Sequence, residues 1–389
     1  SIFIHIYILK NKLFYWVFLL SVFFSCVEPY EKSFLTSGKI IIIEGILSNQ
    51  PGLKPVQIKE SIPSPSGSTT ILPLKGAKVF ILSDKVEKTQ LLEKEEGFYY
   101  FDPNFKGEIG KSYSILINAS DGNIFETGAE ILPNPVPVES VSNSLDLEAF
   151  KDLKGNISPG FKLFANILDP AGIKNNYLWQ WKLFEKQNIC KSCTGGYYYR
   201  TPLPLGSCVE DAILKRYNNI FDYNCEIDCW DIFNSSDLLI LSDKLSDGNL
   251  LKSVFVGKIP VFQYTDALLE ISQFSISEKA YDFINLSQQQ GVSTGGLADT
   301  PPAKLSGNLK CKTDPTINTS GYFIVAGQST FKYWLDKSEA FNEKVQTTGL
   351  LGGRSIKLEP TGPNTTRPPL APCTNSLNRT NIKPDGWKN

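Results

Sequence analysis

A mainly β fold in two parts is predicted: an N-terminal Ig-like or transthyretin-like β-sandwich, then a larger β-rich domain with one short helix. Three observations carry this prediction. Short runs of branched and aromatic residues alternate with polar ones and stop at Gly, Pro, Asn or Ser, as strands joined by turns do. The segment Pro133-Asn134-Pro135-Val136-Pro137 reads as a stiff extended linker, because each proline removes a donor and restricts the residue before it. Only Ser277 to Leu286 shows clear helical spacing, with apolar groups at Ala280, Phe283, Ile284 and Leu286.

The elements follow in order. Residues 1–25 read as a leader, 26–37 as a tether and 38–132 as the first domain. Lys39 to Leu47 is a nearly continuous apolar run of strand length and is expected to be the first core strand. Val56-Gln57-Ile58-Lys59 alternates like a half-buried strand, and Pro63 to Thr70 reads as a loop. Further strand signals at 77–82, 89–92, 97–101, 112–117 and 124–131 bring the total to about seven, with Asp121-Gly122-Asn123 as a turn.

Past the linker at 133–137, residues 138–355 form the second domain, with a cysteine-rich insertion at 186–230. Strands are expected at 138–146, 160–169, 177–185 and 237–241, and then from Leu250 to Tyr264 with breaks at Gly257 and Pro260. Trp179 and Trp181 are two apart in a strand, so they share one face, where core packing is the plainer reading and a ligand platform the sharper one. Ser277 is the expected cap of the helix and Gly291 its left-handed stop. Strands follow at 321–327 and 329–334, and residues 356–389 read as an irregular tail held only if Cys373 pins it.

The first stretch bears on location. Lys10 and Lys12 precede the apolar run Leu13 to Leu20, and Ser25 stands just before Cys26, which is the layout of a cleaved leader followed by a lipidated cysteine. The interruption at Lys10-Asn11-Lys12 leaves fewer than the roughly 20 apolar residues of a membrane span. Cys26 is therefore the expected lipidation point, carrying palmitate-type chains that hold the protein to a membrane.

Composition narrows the chemistry. With 39 basic and 40 acidic residues, overall charge gives no reason to expect a nucleic-acid partner. The single histidine, His5, lies in the expected leader, so a mature chain without it has no imidazole for a triad, a general base or a metal ligand. No catalytic residue, cofactor or metal site is predicted, and an enzyme is not expected. Paired acids such as Asp228 with Asp231, or Glu226 with Asp228, read as solvated carboxylates.

With Cys26 acylated, seven cysteines are left: 190, 193, 208, 225, 229, 311 and 373. Export makes disulfides the default, with connectivity open and one thiol left over. The alternative is a zinc knuckle on Cys190, Cys193, Cys225 and Cys229, which have roughly the right spacing. Tyr197, Tyr198 and Tyr199 either pack this insertion or supply aromatic anchors to a partner.

A set of features in order carries a family resemblance. Cys26 is followed by Val27-Glu28-Pro29, then Ile43-Glu44-Gly45-Ile46-Leu47, Gly110-Lys111-Ser112-Tyr113, the Trp179/Trp181 strand and Cys229-Trp230. The helix around Tyr281 and Phe283, Pro301-Pro302 through Ser306-Gly307-Asn308-Leu309, and Gly321-Tyr322-Phe323 complete it. Together these resemble the DUF4249 lipoproteins of Bacteroidota, a domain of unknown function. The resemblance implies an outer-membrane lipoprotein on the surface or periplasmic face, working as an accessory subunit beside a TonB-dependent receptor barrel. The alternatives are an adhesion or structural lipoprotein of the envelope and, less in keeping with the residues, a carboxylate-dependent hydrolase.

Overall fold

The computed structural model describes residues 39–63, 69–152, 154–201, 206–244, 248–292, 305, 307–361 and 367–388. The expectations for Cys26 and the leader, and for Pro301 and Pro302, lie outside these residues.

Nine strands occupy the first region: β1 (Ile40–Ser48), β2 (Val56–Pro63), β3 (Thr69–Pro73), β4 (Lys78–Ser83), β5 (Glu87–Glu95), β6 (Phe98–Tyr100), β7 (Ser112–Asn118), β8 (Ile124–Thr127) and β9 (Glu130–Ile131). β4, β5 and β7 form an antiparallel set with β8. Ile41, Ile43, Val79, Ile81, Ile115 and Phe125 meet in one apolar core. The Asp121 turn forms as expected: Gly122 takes a positive φ of 88°, and the Asn123 amide donates to Asp121 Oδ1 at 3.0 Å.

The second region continues with β10 (Val138–Lys151), β11 (Ile157–Leu168), β12 (Asn176–Lys186), β13 (Ile189–Thr194), β14 (Gly196–Tyr199), β15 (Ser207–Glu210), β16 (Ile220–Asn224) and β17 (Trp230–Asn234). The last six are β18 (Leu239–Ser242), β19 (Leu250–Pro260), β20 (Ala267–Ile276), β21 (Leu309–Cys311), β22 (Asn318–Leu335) and β23 (Arg379–Thr380). β10, β11 and β19 make a three-stranded sheet. Its inner residues Phe161, Leu163 and Ile259 pack on Tyr177, Trp179 and Ile271 of β12 and β20. On the far side of β12 and β20, Leu178, Phe274 and Ile276 are covered by Ala280 and Ile284 of the Glu278–Val292 helix. Both faces of β12 and β20 are buried, so these strands read as apolar runs rather than clean alternation.

Trp179 and Trp181 do share a face in this core, and the Trp181 ring lies where a side chain on Gly257 would stand. Gly257 therefore does not break the chain, and β19 runs unbroken from Leu250 to Pro260, against the break expected there. Ser277 caps the helix as expected, its Oγ accepting from Ala280 N at 3.1 Å. The helix continues through Gly291 to Val292 instead of stopping at it. Two further single-turn helices stand among the described residues, Ala212–Arg216, capped by Asp211, and Ser338–Asn342, neither of them expected from the sequence.

β22 joins the regions. Its first half, Asn318 to Ala326, pairs parallel with β1, and its second half, Gly327 to Leu335, pairs antiparallel with β20. Phe323 and Val325 thus complete the first core while Leu335 belongs to the second. β1 is consequently an interior strand: Ile41, Ile43 and Leu47 face the first core while Ile46 faces the helix-covered side, which explains its continuous apolar run. Gly321, at φ 83°, lets β22 approach the Ile43 backbone, where a Cβ would clash with the carbonyl. Gly307 lies against the backbone of Gly321 in the same way, and the Asn308 side chain then pairs with the Phe323 backbone, its Oδ1 accepting from Phe323 N at 3.0 Å and its Nδ2 donating to Phe323 O at 2.9 Å. The proline linker is fixed where β22 changes partners: Val136 O accepts from Gln273 Nε2 at 2.8 Å and Ser329 Oγ at 2.7 Å.

Candidate functional site

Register brings one end of four strands together. Lys186 of β12 stands opposite Trp230 of β17, Phe184 opposite Leu268 of β20, and Leu268 opposite Trp334 of β22. Phe184, Trp230 and Leu268 form a small buried cluster, against which Trp334 and Trp387 pack. Trp387 arrives from the tail just after Gly386 and meets Trp230 edge-on at 5.7 Å between ring centroids and Trp334 at 5.2 Å. Such edge-to-face pairs suit the ring quadrupoles. Above them lies a cleft of about 530 Å³, within the usual range for small-molecule sites.

The cleft's polar lining comes from Lys186, Asn188, Asp228, Gln263, Thr265, Asp266 and Lys388. Asp266 is held in place, accepting from Trp334 Nε1 at 3.2 Å and from the Lys337 amide at 3.0 Å. Gln263 Nε2 donates to Glu185 Oε2 at 3.1 Å and to Lys186 O at 3.0 Å. Glu185 in turn forms an ion pair with Lys337, and both side chains are completely buried. Burial pushes the Glu185 carboxyl up and the Lys337 ammonium down, and each charge opposes the shift in the other. Lys186 pairs with Asp228 at 2.9 Å on the exposed rim. A second depression, lined in part by Lys186, Asn188 and Asp228 as well, extends the cleft toward Glu226 and Ile227.

One donor beneath the cleft is unanswered. Trp230 is 2% exposed, and its indole Nε1 has no hydrogen-bond partner among the described residues. A buried unpaired donor is costly enough to call for a reason.

The cysteine-rich insertion is a separate, stapled layer. Cys190 bonds Cys225, Cys193 bonds Cys208, and Cys229 bonds Cys373, while Cys311 is the free thiol among the described cysteines. The sulfurs of Cys190, Cys225 and Cys229 lie within 4.8 Å of one another, but all three are disulfide sulfurs. The set 190, 193, 225 and 229 therefore does not stand as four thiolates: Cys193 is committed to Cys208. The third bridge pins the tail, as do Arg379 on Asp231 at 2.7 Å and Arg367, which donates to Tyr198 O at 3.0 Å.

The three tyrosines divide. Tyr198 is buried against Tyr223, whose hydroxyl donates to Glu359 at 2.6 Å. Tyr197 stacks on Phe221 at 5.6 Å. Tyr199 is 40% exposed, with the Arg367 guanidinium 4.3 Å from its ring centroid. Tyr198 therefore packs the insertion and offers no surface to a partner. Nearby, the Asp222 carboxylate accepts from both Arg354 Nη atoms, from Ser192 Oγ and from Lys357 N. These partners outweigh its burial and hold it down at about 2.

Sequence reasoning missed the cleft. Trp334 was legible only as part of a strand, and Trp387 as part of an irregular tail. The usable signal was a Trp in an otherwise polar C-terminal segment, where such a ring has little reason to stay unless it docks on something.

A search of curated proteins returned no match. The profile of one family, described as a domain of unknown function (DUF4249), matches residues 27–332, which covers Trp230 and most of the sheet but stops before Trp334 and the pinned tail. The chain belongs to the DUF4249 family.

Proposed function

We propose that this protein is an outer-membrane lipoprotein, anchored through Cys26, that binds its ligand non-covalently in the tryptophan cleft as an accessory subunit of a TonB-dependent uptake system. The observation that carries the binding role is the cleft itself: the half-buried rings of Trp334, on a strand end, and Trp387, brought by the tail, stand over buried Trp230 and are backed by the closed Glu185–Lys337 pair. Sites built on rigid strands hold their geometry without moving parts. The anchoring role rests on the Lys10–Cys26 layout, and an acyl anchor would raise the local concentration of the cleft beside a channel. Among the described residues no helix is long and apolar enough to cross a membrane.

The test is a mild-detergent pull-down of the tagged protein from native membranes with mass spectrometry of its companions, alongside labelling with an alkyne palmitate analogue. A large barrel protein in the pull-down and label lost in Cys26→Ser support the reading. Fractionation as an unlabelled soluble protein with no barrel companion sinks it. Recovery of label with no barrel would favour the adhesion or structural alternative. Hydrolysis has one observation in its favour, that Asp228 and Asp266 line the same cleft. Both Asp266 oxygens are already engaged by Trp334 and Lys337, which suits a fixed acceptor better than a proton shuttle.

A further inference from the structure

The cleft's ligand can be narrowed by its charge, its rings and its hydrogen-bonding capacity. Two cations, Lys186 and Lys388, and two carboxylates, Asp228 and Asp266, line it, so the formal charges cancel and neither an anion nor a cation is favoured overall. Asn188 adds an amide, and Thr265 a hydroxyl, so the lining offers both donors and acceptors. Trp334 and Trp387 are half-buried at its edge. Three tryptophans would suit a quaternary ammonium if they framed an open cage, but here they touch, with centroids 5.2 and 5.7 Å apart, and the Lys388 ammonium already lies 5.6 Å from the Trp334 ring centroid.

What remains is a neutral molecule with an apolar face and a belt of hydroxyls. We propose that the cleft binds a pyranose-based oligosaccharide, one sugar ring packed on Trp334 and Trp387, its hydroxyls bonded by Asp228, Asn188 and Lys186. The neighbouring depression, sharing Lys186, Asn188 and Asp228, gives a second sugar unit a place, so a chain binds better than a monosaccharide. This rests on the reading of the protein as a non-covalent binder and deepens it by naming the ligand class.

The experiment is a titration of the purified full chain, followed by tryptophan fluorescence and calorimetry. The probes are maltohexaose, cellohexaose, xylohexaose and mannohexaose, with choline and citrate as charged competitors of the idea. Saturable binding of at least one hexaose is expected, with a shift in tryptophan emission. Asp228→Asn, 64% exposed at its side chain, is expected to weaken binding about tenfold with unchanged thermal midpoint, and Trp387→Ala to weaken it about tenfold while lowering the midpoint, because that ring also packs on Trp230 and Trp334. The proposal is overturned if no hexaose binds, if choline or citrate binds more tightly than every hexaose, or if both variants retain full affinity. The titration needs neither membrane nor barrel, so its failure is distinct from failure of the pull-down.

Discussion

The two regions of this molecule are both sheet-on-sheet, yet they are held differently. The first core, around Ile43, Val79, Ile115 and Phe323, is mainly apolar: its buried polar groups among the described residues are chiefly hydroxyls such as Ser114 and Thr127, with the one carboxyl Glu130 at the junction with the helix. The second buries a similar apolar layer but adds ionised or polar groups that are almost wholly inaccessible, among them Glu185, Lys337, Asp222, Asp231 and Gln273. Apolar packing tolerates small changes of shape, whereas a buried charge is tolerated only with its partner present. Glu185 and Lys337 lie behind the tryptophan cleft, Asp222 and Asp231 beside the disulfide-stapled layer and the tail it holds, and Gln273 under the proline linker. The contrast marks the second region as the part built to present a surface, and the first as the scaffold that completes its sheet through β22.

The largest way to break the contrast is to remove one partner of the buried pair. Lys337→Met should cost about 3–5 kcal/mol in urea unfolding by leaving Glu185 uncompensated, while the double variant with Glu185→Leu should recover much of the loss. Equal losses in single and double variants would show that shape, not charge, holds this spot. Next, Cys229→Ser combined with Cys373→Ser opens a link between residues 144 apart and should cost about 2–4 kcal/mol. It should also quench the signal of Trp387 packing in near-ultraviolet circular dichroism, since the tail loses its staple; the first core should be untouched.

Asp222 gives the contrast a pH dependence. Its folded-state value, held down at about 2, is below the unfolded value near 4. The stability it contributes is therefore complete above about pH 4 and is lost as pH falls through about 2. Asp222→Asn should flatten that acid limb, measured by thermal melts between pH 2 and 5, and an unchanged limb would remove Asp222 as its cause. The smallest effect belongs to the junction: Ser277→Ala should cost about 1 kcal/mol, since Ser277 Oγ both caps the helix and donates to Glu130. Hydrogen exchange confined to Glu278–Asn285 would show it, and protection lost throughout β1 would mean the helix holds more of the sheet than its cap suggests.

Several elements were legible before any coordinates. β1, β4, β7 and β12 fall where apolar or alternating runs of strand length stand between turn residues, and the helix begins at the Ser277 cap. The break expected at Gly257 failed because a glycine in a strand has two causes, a turn or a neighbour that needs the room, and here the Trp181 ring takes the room. The stop expected at Gly291 failed because helix propensity at one residue is a weak preference. Tyr198 failed as a surface anchor because three consecutive aromatics in a strand must point to alternating faces, and one face was the insertion's interior.

By itself, then, the sequence settled what neighbours along the chain decide: strand or turn at each segment, the cap of one helix and the near-balance of charge. Only the tertiary structure decided which strands meet. The parallel pairing of β1 with β22 joins residues far apart in the chain, and the cleft needs β12, β17, β20, β22 and a tail residue to end at one place. The backbone's alternation is a local rule that any short segment obeys, whereas the choice of partner depends on which buried surfaces fit, and that sum runs over the whole fold.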